Sequence, residues 1–248
     1  MFKDIYLISY RFTIGIRKIS FSSSYGIEGK TMSVIVIGNT KGGVGKSTNT
    51  VQVAVGRALQ GKDVLLVNSD RQSSSSKAID RRDAAGLTPS VTLVAYPDGE
   101  QLRTQVLRQL DKYDDIIIDA GGRDSSAFRH AMMIADVMLV PIAPGNFELD
   151  ALEDELVPLI IEIQALRGDN PLPIYAYLNM AEPKKYSSDN IGTRKSIENY
   201  PQLTLIDLSI ARRKSIAAAS TLGLAVSEMK PKDPKAVKEI EALLAALF

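Results

Sequence analysis

The chain has 248 residues, enough for one α/β domain with a substantial core, and its 45% apolar and 24% charged content is ordinary for a globular protein. It has no cysteine, which excludes disulfides, thiolate zinc sites and iron–sulfur ligation, and its one histidine, His130, argues against a His-based metal site or a Ser-His-Asp triad. The net charge of +1 sets up no global field for nucleic acid or membrane, and no apolar run has the length of a transmembrane helix.

Residues 1–32 carry Lys3, Arg11, Arg17, Lys18 and Lys30 against Asp4 and Glu28, with a serine run at Ser22–Ser24. An Arg- and Ser-rich, acid-poor start resembles a transit peptide. The favoured reading is a poorly ordered arm, or an upstream start with Met32 as the real beginning. From Ser33 strand and helix patterns alternate. Val34–Ile37 reads as a buried strand, followed by a helix over Ser47–Gln60 that stops at Gly61. Val64–Val67 is a second strand, and a serine-rich turn leads to a short helix over Asp80–Ala85. Val91–Val94 reads as strand, Glu100–Leu110 as helix, Ile116–Ile118 as strand and Ser125–Ile134 as helix. Val137–Val140 is a fifth strand ended by Pro141, and Leu149–Leu166 a long helix that Pro158 kinks. Ile174–Leu178 is a strand, Thr193–Asn199 a helix and Leu203–Ile206 a short strand. Residues 212–222 and 234–247 are the last helices. The alternation predicts an α/β fold, a mostly parallel twisted sheet with helices on both faces, in one domain over 33–248.

The chemistry concentrates in Thr40-Lys41-Gly42-Gly43-Val44-Gly45-Lys46-Ser47, between the first strand and the first helix. The general phosphate-binding loop is Gly, four residues, Gly-Lys, then Ser or Thr. Gly45-Lys46-Ser47 fits its end, while Thr40 stands at the first glycine position. The glycines let successive N–H groups point at phosphate oxygens, and the following helix aims its positive end at the same place. Lys46 supplies a point charge to the β- and γ-phosphates, and Ser47 offers its hydroxyl to Mg²⁺. Phosphoryl transfer to water also needs acids. Asp119 ends the fourth strand and Asp70 follows the second, both on the ligand-binding edge of a parallel sheet.

The stretch Lys41-Gly-Gly-Val-Gly-Lys-Ser47, with its extra lysine, resembles the deviant Walker A motif of the ParA/MinD family of P-loop ATPases, closest to small plasmid-type ParA partition proteins. The resemblance covers about residues 33–248. It implies that Lys41 is the signature lysine reaching the nucleotide of a partner subunit, so that ATP holds a homodimer together. It implies that Thr48 contacts the α-phosphate, that Asp70 orients the attacking water and that Asp119 holds Mg²⁺ through water. The family's Asp-x-Asp-Pro-Gln stands here as Asn68-Ser69-Asp70-Arg71-Gln72; these departures bear on the hydrolysis rate and the switch conformation. Asn68 can still bond a metal-bound water but brings no charge. Asp119-Ala-Gly-Gly-Arg-Asp-Ser-Ser126 resembles the second switch, within which Arg123 and Asp124 read either as a functional pair or as a surface ion pair. Ala135-Asp136, Pro141-Ile142-Ala143-Pro144, Phe147–Asp150 and Ser209–Glu228 (Arg212, Ala219, Gly223 and Glu228 in register) extend the likeness. Asn179, ending the sixth strand, matches an adenine-contacting Asn, and is also an ordinary turn residue.

Without cysteine the iron–sulfur branches of the family are excluded. A ParA-like branch binds nonspecific DNA as an ATP dimer; a MinD-like branch binds membrane through a C-terminal amphipathic helix. In the tail, Val237, Ile240, Leu243, Leu244 and Leu247 share one helix face, but Glu239 and Glu241 dilute its positive charge, favouring packing against the sheet. For DNA the candidates are Arg212, Arg213 and Lys214, with Lys184, Lys185, Arg194, Lys195, Lys230 and Lys232 as additions; such a patch neutralises phosphates without reading sequence. A solvated basic surface is the plainer alternative. The helix-turn-helix extension of larger ParA proteins does not fit within residues 1–32. The expectation is a cytoplasmic, nucleoid-associated ATPase using ATP/ADP and Mg²⁺. It would be slow and stimulated by a ParB-like centromere-binding partner, and would drive plasmid or chromosome segregation. The alternatives are a MinD-like positioning ATPase and a catalytically slow ATP-dependent scaffold.

Overall fold

The computed structural model describes residues 33–70, 72–121, 124–184 and 186–248, with backbone alone at 146–148. The expectations for the arm 1–32, for Arg71, Arg123 and Lys185, and for the side chains of Phe147 and Glu148 lie outside the described residues. The strands are β1 (Ser33–Ile37), β2 (Val64–Asn68), β3 (Thr92–Ala95), β4 (Asp115–Asp119), β5 (Val137–Ile142), β6 (Ile174–Ala181) and β7 (Thr204–Ala211). The helices are α1 (Lys46–Leu59), α2 (Ser74–Ala84), α3 (Gly99–Leu107), α4 (Ser126–Ile134), α5 (Asn146–Ala151), α6 (Val157–Arg167), α7 (Ser188–Ile197), α8 (Lys214–Thr221) and α9 (Pro234–Leu247).

All strands lie parallel in one sheet of order β3-β2-β4-β1-β5-β6-β7. The short apolar runs are buried from end to end in β1, β2, β4 and β5, because helices cover both faces. Alternate residues of each strand therefore feed two cores. Val34, Val36, Ile116 and Ile118 join Phe128 of α4 and Ile160 of α6, while Ile35, Ile37 and Ile117 join Val53 of α1 and Leu243 of α9. Asp136 accepts a 2.8 Å bond from the Val34 N–H and pins the start of β1.

The structure corrects several element boundaries. Pro141 lies inside β5, paired with Tyr177 of β6, instead of ending the strand. Its carbonyl points to the β1 side, where it accepts from Asn39 Nδ2 at 2.9 Å. The missing N–H faces that same side, beyond the last β1 partner, so no ladder bond is lost. The helix pattern around Pro158 is α5 and α6 joined by a π-helical turn, Leu152–Leu156. The wider turn absorbs a residue that can neither donate nor tolerate the carbonyl four positions back. β7 is twice as long as its apolar run, because an edge strand tolerates Asp207 and Ser209. The serine-rich stretch is helical from Ser74, seated by buried Ala78 and Ile79.

The tail packs inward. Ile240, Leu243, Leu244 and Leu247 of α9 are buried, and Arg57 of α1 lies 3.7 Å over the Phe248 ring. Gly56 permits the approach: a Cβ there would stand 2.7 Å from Leu244 Cδ1. Among the described residues no helix is long and apolar enough to cross a membrane.

Candidate functional site at the phosphate loop

The loop joining β1 to α1 runs over the C-terminal edge of the sheet, where β1, β2 and β4 end together. Gly43 and Gly45 hold φ +80° and +89°, which lets the loop curl around its own N–H groups. Gly45 serves as N-cap without a side-chain capping bond, so the first N–H groups of α1 stay free for an anion. Lys46 is buried and folds back, donating from Nζ to the Lys41 carbonyl at 2.8 Å. Burial holds its pKa below the ordinary lysine value, against the pull of Asp119 and Asp70. Two residues support the loop from behind. Asn39 Oδ1 accepts from the Lys41 N–H at 2.9 Å, while Asn179 Nδ2 donates to the Val44 carbonyl at 2.6 Å.

Asp119 is 0% exposed. Its Oδ1 receives Thr50 Oγ1 at 3.4 Å, and its Oδ2 makes no hydrogen bond. Burial pushes the carboxyl up to about 6, with Asp70 adding to the rise, while the nearby hydroxyls of Ser75 and Ser47 and the Lys46 charge oppose it. Asp70 stands at the mouth of the site, accepting from the Gln72 N–H at 2.9 Å. Asn68 is buried and turned onto the same segment. Its Nδ2 donates to the Asp70 carbonyl at 3.1 Å and its Oδ1 accepts from the Asp70 N–H at 3.0 Å. Its amide thus holds the Asp70 turn, a different task from bonding a metal-bound water.

These groups surround a cleft of about 780 Å³ lined by the loop from Thr40 to Thr48 (apart from Val44), together with Asp70, Gln72, Ser74, Glu155 and Met180. Glu155 and Met180 carry no signal in the sequence pattern. Glu155 enters through the π turn, which no periodicity announces. Met180 has φ +53°, a conformation uncommon for a side-chain-bearing residue and concentrated at sites. Asn179 stands behind the loop, with its Nδ2 on the Val44 carbonyl. A divalent cation suits the residues present, because Asp119 keeps a buried carboxylate oxygen without a partner and the Ser47 hydroxyl lies close to the same carboxyl. Among the described residues no cluster of three or more acids, histidines or cysteines would hold a metal alone.

The basic triplet divides. Arg212 and Lys214 are exposed at the C-terminal end of β7. Arg213 differs from its neighbours: it is bidentate to Glu239 of α9, at 2.9 and 2.6 Å. Arg194 is likewise tied to Ser209 at 2.8 Å and Asp207 at 3.3 Å. Asp124 pairs with Arg129, which also reaches Glu162.

Residues 33–155 match the family described as ATPase MipZ. The maintenance of carboxysome distribution protein A of Halothiobacillus neapolitanus is 26% identical over 214 residues, 85% of this chain and 94% of the relative. Protein ParA of Rhizobium radiobacter is 25% identical over 225 residues, 88% of this chain and 96% of the relative. In structure, the septum site-determining protein MinD of Pyrococcus horikoshii, solved with Mg-ADP, superposes with a TM-score of 0.65 at 20% identity, over 86% of this chain and 94% of that one.

Proposed function

Because the chain belongs to the ParA/MinD family of P-loop ATPases, we propose that it hydrolyses ATP to ADP and phosphate and uses that cycle to position a cargo on DNA. In this reading ATP closes a homodimer through Lys41. The dimer binds nonspecific DNA in the cytoplasm at the nucleoid, and a ParB-like partner stimulates a slow hydrolysis that segregates a plasmid or chromosome. The observation that supports it most is the grouping of Lys46 and Asp70 on one cleft, with the buried Asp119 close enough to interact with both, beneath a loop that carries a second lysine. The loop N–H groups and Lys46 bind the β- and γ-phosphates, and Lys46 exchanges the Lys41 carbonyl for a phosphate oxygen. Thr48 borders the α-phosphate side, while Ser47 and Asp119 hold Mg²⁺. Magnesium, when bound, offsets the charge that develops on the phosphate oxygens. Asp70 orients the attacking water. Arg212 and Lys214 contribute the DNA-facing charge.

The test is DNA binding across nucleotide states with oligomeric state measured in parallel. A salt-dependent shift and a dimer with ATP and Mg²⁺, and neither with ADP, support the proposal. DNA binding indifferent to nucleotide, or a monomer in both states, overturns it. Turnover with and without DNA separates this reading from a slow scaffold. Liposome sedimentation tests the MinD-like alternative, which the inward packing of α9 disfavours.

A further inference from the structure

Two buried polar atoms near the site have no partners. Asp119 Oδ2 and Ser75 Oγ each make no hydrogen bond, and both residues are 0% exposed. The Ser75 hydroxyl is near enough to Asp119 to draw its carboxyl down against burial, without completing a well-formed hydrogen bond to it. An interior hydroxyl left unsatisfied destabilises a fold, and alanine would fill nearly the same space without that cost.

The backbone aims Ser75 at this position. Ser73 adopts φ 57° and ψ 32°, turning the chain so that α2 starts at Ser74 and Ser75 points inward with Ala78, Ile79 and Arg82. Asn68 grips the preceding turn on both sides of Asp70. One short segment thus presents Asp70 to the cleft and, five residues on, a hydroxyl to the buried acid.

We propose that Ser75 is a positioning residue for Asp119, its hydroxyl donating to Oδ2 of the ionised carboxylate when the metal–nucleotide complex forms and fixing the rotamer that faces the ion. This rests on the nucleotide-binding reading of the cleft. The bond forms through a small inward shift of α2, so metal binding and the setting of Asp70 become one event.

The full chain and its Ser75→Ala variant are titrated with Mn²⁺ in the presence of a non-hydrolysable ATP analogue, reading free Mn²⁺ by electron paramagnetic resonance. The alanine variant is expected to lose about tenfold in Mn²⁺ affinity, as when a partner of a metal-bound group is removed. Its analogue binding in chelator stays at the parental level, and its metal-free Tm is equal or higher, because an orphan hydroxyl has gone. Ser75→Thr, which keeps the hydroxyl, restores Mn²⁺ affinity. Parental Mn²⁺ affinity in Ser75→Ala overturns the proposal, as does an equal loss of analogue binding with and without metal. A parent chain that binds no analogue overturns the reading of the cleft as well.

Discussion

Asn179 Nδ2 lies 2.6 Å from the Val44 carbonyl, so the end of β6 grips the phosphate loop from behind. The same amide leaves no room at Gly45, where a Cβ would stand 2.3 Å from Nδ2 on a backbone at φ +89°. Gly45→Ala is therefore expected to lose nucleotide binding, through both steric conflict and left-handed strain of about 1–3 kcal/mol. Asn179→Ala leaves the Val44 carbonyl unpaired, costing about 1–3 kcal/mol, and weakens analogue binding by an order of magnitude or so. Calorimetric titration with a fluorescent analogue as cross-check reads both; unchanged affinity in Asn179→Ala refutes the support role.

Arg82 is fully buried on α2 and bidentate to Glu228 at 2.9 and 3.1 Å, with further bonds to the Gly223 and Pro89 carbonyls. Removing one partner strands the other's charge. Arg82→Ala is expected to destabilise by roughly 3–5 kcal/mol and Arg82→Met by less, since methionine refills the volume. Denaturant unfolding gives the ranking, and a near-parental midpoint for Arg82→Ala would contradict it.

The divided basic triplet makes opposite predictions for neighbours. Arg212→Ala with Lys214→Ala should weaken DNA binding and lower the slope of log K against log salt by about 2 per protomer, or about 4 for the dimer, with Tm unchanged. Arg213→Ala and Glu239→Ala should each lower Tm by roughly 2–4 °C through loss of the β7–α9 tie. A pattern in which Arg213→Ala affects DNA binding alone would reverse the assignment.

Asp119 predicts a pH dependence for the metal-free protein. Its folded pKa, about 6, lies above the ordinary carboxylate value of 3.8, so the folded state binds the proton more tightly. Stability from this group is full below the unfolded pKa and declines as pH rises through about 6, by roughly 3 kcal/mol in the limit. Asp119→Asn removes the proton equilibrium and should flatten that part of the profile between about pH 4 and pH 6. Urea midpoints of both proteins across this range test it; parallel profiles would show that Asp119 does not titrate there.

Much of the fold was readable because parallel α/β architecture writes itself locally. Apolar runs such as Val34–Ile37 are buried on both faces, and helix patterns between them close at glycines such as Gly61. Boundaries failed where a neighbour outweighed local preference. Pro141 continues β5 because β1 has already ended, and Ser74–Ser76 are helical because Ala78 and Ile79 find the core. Glu155 and Met180 were missed because a π turn and a left-handed residue follow no period.

By itself the sequence determined the loop, its two lysines and the two strand-end acids, because the loop's function depends on consecutive N–H groups and a helix start, which neighbouring residues define. Tertiary structure alone decided which charges are free. Asn68 and Asn179 hold backbone, Arg213 is paired with Glu239, and Ser75 and Asp119 are both buried. Those assignments depend on elements far apart in the chain, and a side chain's chemistry follows from whether its partner is water or another residue.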